Sequence, residues 1–162
     1  MTREQFISHV ESHQKAFRRL LTALCCGDTA LADDIAQEAF IKAYLSCEGF
    51  RDDAKFTTWI YRIGFNTFLN HRRSARLTAT YDEVAASDSG ERADDSFRYQ
   101  ELYAALDRIP ERERTSILLH YMEGYSVSEI AEIVEVSADA VKQHLSRGRR
   151  HLRGILNDKD HE

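Results

Sequence analysis

Residues 126–153 read SVSEIAEIVEVSADAVKQHLSRGRRHLR. Two helical patterns lie here back to back. Val127, Ile130, Ala131 and Val134 recur at i, i+3, i+4 and i+7, the spacing of an apolar helix stripe. Ser137 can cap a second, longer helix that runs to about Leu156. Val136 before that cap and Val141 inside it can close a hydrophobic staple. Only Glu135-Val136-Ser137 separates the two, so the pair reads as a helix-turn-helix. At about 100° per residue, Val141, Leu145, Gly148 and Leu152 share one face of the second helix. The opposite face carries Asp139, Gln143, Ser146, Arg147 and Arg150, flanked by Lys142 and Arg153.

That opposite face has the chemistry of major-groove reading. Arginine can bond bidentately to guanine, and Gln143 can pair with adenine. The flanking bases can hold phosphates and fix register. Asp139 can accept from cytosine or simply favour the helix dipole. A solvated basic face on a bundle helix is the plainer reading. The preceding helix, tight turn, cap and staple together favour DNA.

Upstream, Leu102, Leu106 and Ile109 suggest a short helix stopped by Pro110. Glu111 to Glu123 reads as another, with Ile117, Leu118 and Tyr121 inward and Gly124 at its end. Further upstream lies a second helical module. An N-terminal helix spans about Arg3 to Cys25. In 30–45, Ala32, Ile35, Ala36, Ala39, Phe40 and Ala43 form a helical stripe, with Asp28 or Thr29 as cap. Asp34, Gln37, Glu38 and Ile41 form the outer stripe. Cys47 to Lys55 reads as a loop, with Gly49 and the Asp52-Asp53 pair. A third helix starts near Thr57 or Thr58 and runs to about Arg76. Phe56, Ile60, Ile63 and Thr67 mark its core side, and Trp59, Arg62, Asn66, Asn70 and Arg73 the other. Gly64 inside it costs about 0.5–1 kcal/mol relative to alanine.

The chain has 162 residues, 43% hydrophobic and 30% charged, with net charge −5. The stretch 77–96 holds six acids (Asp82, Glu83, Asp88, Glu91, Asp94, Asp95) against Arg92, so the other residues sum to zero. Bases cluster in His71-Arg72-Arg73-Ser74-Ala75-Arg76 and from Lys142 to Arg153. Screening over about 10 Å lets such patches bind phosphate on an acidic chain. Rich in Ala, Ser, Thr, Asp and Gly, 77–96 cannot bury enough surface to offset its ordering entropy. The expectation is an all-α chain of two small helical domains, 1–76 and 97–162, on a flexible acidic linker, 77–96. One proline and seven glycines leave little for a turn-rich β sandwich. No apolar run approaches the roughly 18–20 residues of a membrane span. Met1 to Val10 has no signal core, and three cysteines, with Cys25 and Cys26 adjacent, suit a reducing cytoplasm rather than a disulfide framework.

The segments DDIAQEAFIKAY (33–44), FTTWIYRIGFN (56–66), LDRIPERERTSILLHYMEGYSVSEIAEIVEVS (106–137) and AVKQHLSRGRRHLR (140–153) resemble, in order, the bacterial extracytoplasmic-function (ECF) sigma factors. The resemblance implies a region-2 domain, then a linker, then a region-4 helix-turn-helix domain. It implies binding to core RNA polymerase, promoter recognition and help in melting the −10 element. The 33–44 helix then docks on polymerase, with Asp34, Gln37, Glu38 and Ile41 as its surface. The helix-turn-helix face Asp139, Lys142, Gln143, Ser146, Arg147 and Arg150 reads the −35 element. Melting needs groups that hold bases better unpaired than paired. Aromatics stack on them for about 1–3 kcal/mol each, and basic groups hold the backbone. Trp59, Tyr61, Arg62, Phe65, Asn66, Arg72 and Arg73 supply both kinds. Aromatics at helical spacing are more often core, and that plainer reading places Trp59, Phe65 and Phe68 there; Trp59 is expected partly buried, and Arg62, Asn66 and Arg73 rank above it. By resemblance, the loop Phe50 to Lys55, with Asn66, forms the pocket for an extruded base. The acidic linker, in the same family, threads the polymerase channel; a plain tether is the simpler alternative.

Glu135 stands where the family usually has glycine in the turn. If positive φ is needed there, it costs on the order of 1 kcal/mol. Gly64 replaces a usual alanine, Asn70 a frequent aspartate, and Gln143-His144 a commoner pair. A bacterial cytoplasmic protein is expected, monomeric when not bound, with no membrane insertion and no cofactor, and with an anti-sigma partner. It would have no catalytic residues and no metal site. His9 and His13 sit at i, i+4, but Val10 stands where HExxH needs glutamate, and no third ligand is apparent. No G-x-G-x-x-G, Walker or G-x-S-x-G motif occurs. The rival reading is a stand-alone helix-turn-helix regulator, which would bind duplex DNA as a dimer without polymerase.

Overall fold

The structure, a computed structural model, describes residues 1–51, 54–79 and 96–160. Among these, all regular structure is helical. The first body contains α1 (Arg3–Leu24), α2 (Thr29–Ser46) and α3 (Phe56–Ala79), with a 3-10 turn at Cys47–Gly49. The second contains α4 (Ser96–Asp107), α5 (Glu111–Ile117), α6 (Val127–Val134) and α7 (Ala138–Asp160). The acidic residues Asp82 to Asp95 and the Asp52-Asp53 pair lie outside the described residues.

Local chemistry starts the helices. Thr2 accepts from the Gln5 backbone N–H while the Gln5 side chain accepts from the Thr2 backbone N–H, a complete capping box on α1. Asp28 caps α2 by accepting from the Leu31 N–H at 3.1 Å. Ser126 and Glu129 form the same reciprocal box on α6. The Ser137 hydroxyl accepts from the Ala140 N–H at 3.1 Å and starts α7. α3 continues three residues past the expected stop, because Leu77-Thr78-Ala79 contains no helix breaker and Thr78 bonds back to the Ser74 carbonyl.

The core follows the apolar stripes. Ala32, Ile35, Ala36, Ala39 and Ala43 of α2 are buried, Phe40 partly so. They face Phe17, Leu21 and Leu24 of α1 and Ile60, Phe65 and Phe68 of α3 in one cluster. Small alanines on α2 bring the helices close, and α3 meets α1 through Gly64. A Cβ on Gly64 would stand 2.6 Å from the Phe17 ring. Phe17 is almost wholly buried and has nowhere to swing. Here helix propensity yields to helix packing. Gly148 plays the same part in α7, where a Cβ would fall 2.4 Å from Ile117 Cδ1.

One inward assignment fails. Tyr121 is 60% exposed, while Leu119 is fully buried. α5 widens into a π turn over Leu118–Met122, in which the Glu123 N–H reaches the Leu118 carbonyl at 3.3 Å. The extra residue in that turn rotates the stripe and carries Tyr121 outward. In α6, Ile133 joins Ile130 and Val134 in the core, while Val127 and Ala131 are only half-buried.

The two bodies pack against each other. α6 lies along α3, and the C-terminal half of α1 meets α5 and the π turn. Arg114 is the largest side chain at this seam and is almost wholly buried. It donates to the carbonyls of Leu106 and of Leu24, both at 2.8 Å, so α5 is tied to the end of α1. A buried guanidinium is tolerable only with such acceptors.

Candidate nucleic-acid interface

α7 presents the expected reading face to solvent. Val141, Leu145 and Gly148 are buried against α5 and α6, and Leu152 partly so. Asp139, Lys142, Gln143, Ser146, Arg147 and Arg150 are all exposed, as are Arg149 and Arg153. The row is held by what lies beneath it. Ser137 caps the helix, Val141 and Leu145 anchor it, and Gly148 lets it sit down on Ile117. Glu113 and His151 add a buried-side bond, 2.6 Å from Oε1 to Nδ1. Beside the face, burial and the Arg112 guanidinium hold the His144 imidazole below its ordinary pKa.

The turn into α7 needs a left-handed residue. Glu135 has φ +57°, so the non-glycine at this position carries the strain that its identity implies.

α3 is a different surface. Tyr61 and Phe65 are buried, and Trp59 is half-buried among Phe6, Phe50 and Phe56. Tyr61 and Phe65 therefore belong to the core in this arrangement and present no stacking face. Asn66 and Arg73 are exposed, and Arg62 is half-buried. Lys55, Arg62 and Asn66 all point at the second body. Arg62 donates to the Glu132 carbonyl at 2.7 and 3.0 Å. Asn66 donates to Glu135 Oε1 at 3.4 Å, and that oxygen lies 3.8 Å from Arg62 Nε. Lys55 pairs with Glu129 at 3.8 Å. Arg73 is outside this set of contacts. Phe50 and Ala54 help line a recess of about 240 Å³ with Gln5, His9 and Phe56; Lys55 and Asn66 do not line it.

On α2, Asp34, Gln37 and Ile41 are exposed. Ile41 is 54% exposed, and Leu45, one turn further along α2, is 77% exposed. Glu38 is only half-exposed and is engaged by His71 at 2.7 Å and Lys42 at 3.1 Å. The hydrogen bond from His71, then that from Lys42, hold its carboxyl below the usual range.

His9 and His13 stack against the Phe56 ring at 4.8 and 5.6 Å, so they serve packing. Cys25 is pushed up to about 12 by burial and the nearby Asp28 charge, which leaves its thiol unreactive at neutral pH. Sequence reasoning missed Glu111, Arg114, Glu132 and Glu135 as contacts of the first body. Their pairing is set by tertiary packing, and only the unusual residue at 135 gave a local signal.

The described chain thus consists of two compact helical bodies, the second ending in a helix-turn-helix with an exposed basic face. Residues 9–78 match the family model of sigma-70 region 2, and residues 99–152 that of sigma-70 region 4. The ECF RNA polymerase sigma factor SigW of Bacillus subtilis is 34% identical over 147 residues, covering 82% of this chain and 79% of SigW. RNA polymerase sigma factor SigV of the same organism is 29% identical over 160 residues, covering 98% and 95%. The chain belongs to the ECF sigma factors of the sigma-70 family. Its fold matches the sigma factor RpoE in complex with the anti-sigma factor NepR from Bartonella quintana, with TM-score 0.78, 20% identity and coverage of 95% and 98%. It also matches CnrH in complex with the cytosolic domain of CnrY, with TM-score 0.74, 22% identity and coverage of 97% and 90%.

Proposed function

We propose that the chain rides on core RNA polymerase and reads a promoter at two separated places, with α7 on the −35 element and α3 on the −10 element. The observation that carries this is the exposed row Gln143, Ser146, Arg147 and Arg150 on a helix whose opposite side is anchored in the core. Arg147 and Arg150 supply bidentate donors to guanine, and Gln143 an amide for adenine. Lys142, with Arg149 and Arg153, supplies phosphate contacts that set register.

Arg62, Asn66 and Arg73 are the proposed contacts to the −10 strand, with Phe50 and Lys55 at the loop. The recess beside Phe50 is a candidate seat for an unstacked base. Asp34, Gln37 and Ile41 form the proposed polymerase-docking stripe, with Glu38 held at its edge by His71 and Lys42. The family works without catalysis of its own, so no catalytic role is assigned to any residue. Among the described residues no helix is long and apolar enough to cross a membrane; the proposed place of action is beside the polymerase, in the bacterial cytoplasm.

An anti-sigma partner also fits the surface. An apolar groove of about 910 Å³ runs between α1, α4, the π turn and α7. Leu102, Leu106 and Leu152 line it, and Arg19, Arg149 and Arg153 rim it. Such a groove suits an amphipathic helix with acidic flanks.

Run-off transcription with core polymerase tests the function. Adding the chain should produce transcripts from promoters that core alone ignores. Equal output with and without the chain would overturn it.

A further inference from the structure

We propose that Gln5 of α1 is a specificity-determining residue in the recess beside Phe50: its side-chain amide is fixed as a donor, and it selects a base that carries a ring carbonyl against adenine, which has none. This assignment rests on the reading of the recess as the seat of an unstacked base.

The recess lies where the start of α1 meets the segment leading into α3. Met1, Gln5 and His9 line it together with Phe50, Ala54 and Phe56. Its aromatic walls are held by their own packing. The His9 ring lies flat on Phe56, with centroids 4.8 Å and planes 15° apart. Phe50 packs on Trp59 with centroids 4.7 Å apart. Such faces hold an unpaired base by stacking, and stacking tolerates every base because each has a π face. Choosing between bases needs hydrogen bonds to the base edge.

Gln5 supplies them. Among the described residues that line the recess, only Gln5 and His9 carry polar side chains, and His9 is committed to its stack on Phe56. A free side-chain amide offers an acceptor at one end and donors at the other, so by turning over it can meet either kind of base edge. Gln5 cannot turn over. The Thr2 backbone N–H donates to Gln5 Oε1 at 2.9 Å, and the Gln5 backbone N–H donates to the Thr2 hydroxyl at 3.1 Å. A main-chain N–H only donates, so the oxygen end of the amide is the end held in the capping box. Nε2 is left with two N–H groups and no partner among the described residues. The cap that starts α1 thus turns an ambivalent side chain into a donor.

A fixed donor suits a carbonyl oxygen. Thymine, cytosine and guanine each carry one. Adenine carries an amine in its place, and pairing adenine with an amide uses the amide oxygen as well as the nitrogen. With that oxygen engaged by Thr2, the adenine amine meets no acceptor on Gln5.

The test is selection from short single-stranded DNA of randomised sequence by holoenzyme assembled from core polymerase and the full chain, with core alone as background. At one position of the selected motif the wild type should favour carbonyl-bearing bases over adenine by about three- to tenfold, the effect of one hydrogen bond. Gln5→Glu keeps the cap, because glutamate serves equally at this place in the box, and puts an acceptor where the donor was. The thymine-to-adenine ratio at that position should fall by about tenfold or more, while the other positions keep their preferences. The added charge weakens every sequence alike and leaves the ratio to report the edge contact. Ala54→Phe, at an exposed position, fills the recess without touching the core and should erase the preference at the same position. Thermal melts of both variants check folding. A position that Ala54→Phe erases but Gln5→Glu leaves unchanged overturns the role of Gln5 and leaves the base seat standing, as does adenine favoured there by the wild type. A motif that neither variant alters overturns the seat itself, and the role of Gln5 with it.

Discussion

α7 and α3 are both long amphipathic helices with basic residues on one side, yet the first stands open and the second is covered. On the proposed reading face of α7, Gln143, Ser146, Arg147 and Arg150 are exposed. The matching face of α3 is engaged, with Arg62 on the Glu132 carbonyl and Asn66 on Glu135. Composition does not distinguish them. What differs is the neighbour. α7 closes the second body and leaves its outer side to water. α3 closes the first body and is then met by α6. A basic helix face is therefore a capacity to bind, and the packing around it decides when that capacity is available.

The largest expected effect breaks the open side of this contrast. Replacing Arg147 and Arg150 with Ala removes two bidentate donors, each worth about 1–3 kcal/mol of discrimination. Binding of −35 promoter DNA by the holoenzyme, measured by filter binding or anisotropy, should fall by about a hundredfold or more. The free chain should keep its helical signal, because neither side chain is buried.

Next come the two glycines beneath the faces. Gly64→Ala gains about 1 kcal/mol of helix propensity but drives a methyl into the buried Phe17 ring. Overpacking costs typically about 1–3 kcal/mol, so the net should be a lower melting temperature. Gly148→Ala, against Ile117, should do the same in the second body. A rise in melting temperature in either variant would show that the core yields more easily than the contacts imply.

A smaller effect should come from α2. Ile41→Ala removes the exposed apolar centre of the proposed docking stripe. Truncating such an anchor costs about 1–2 kcal/mol. Polymerase pull-down should weaken while DNA recognition by assembled holoenzyme is unaltered.

The smallest is a pH effect in the open body. Burial, and then the Arg112 guanidinium, lower the His144 pKa, so its folded value lies below its unfolded one. The unfolded chain then binds the proton more readily, and stability falls as pH drops through about 6.5, the ordinary histidine value. Thermal melts at neutral and mildly acidic pH should show this loss, and His144→Gln should shrink it.

Much of the fold was legible because its signals are local. Ser137 and Asp28 cap helices by bonds to residues three positions on, and the α2 and α7 stripes repeat at helical spacing. Tyr121 was misplaced because a π turn is not visible in a stripe only a few residues long. The stacking role read for Tyr61 met a packed core instead, while Phe65 and Phe68 follow the plainer core reading of aromatics at helical spacing. The exposed face of α7 could be inferred from its own sequence. The cover on α3 could not, since its strongest bond goes to a main-chain carbonyl, which no residue type announces. Gly64 stood out as a glycine inside a helix and Glu135 as a departure from a family pattern, and each proves to sit at a close contact or a strained turn.

The most direct test of the account is to map transcription start sites made by core polymerase with this chain on the bacterium's own genomic DNA. The account predicts starts that share two spaced promoter elements, with Arg147→Ala relaxing the upstream element and Arg62→Ala the downstream one. Starts that are the same without the chain, or that both variants leave unchanged, would contradict it.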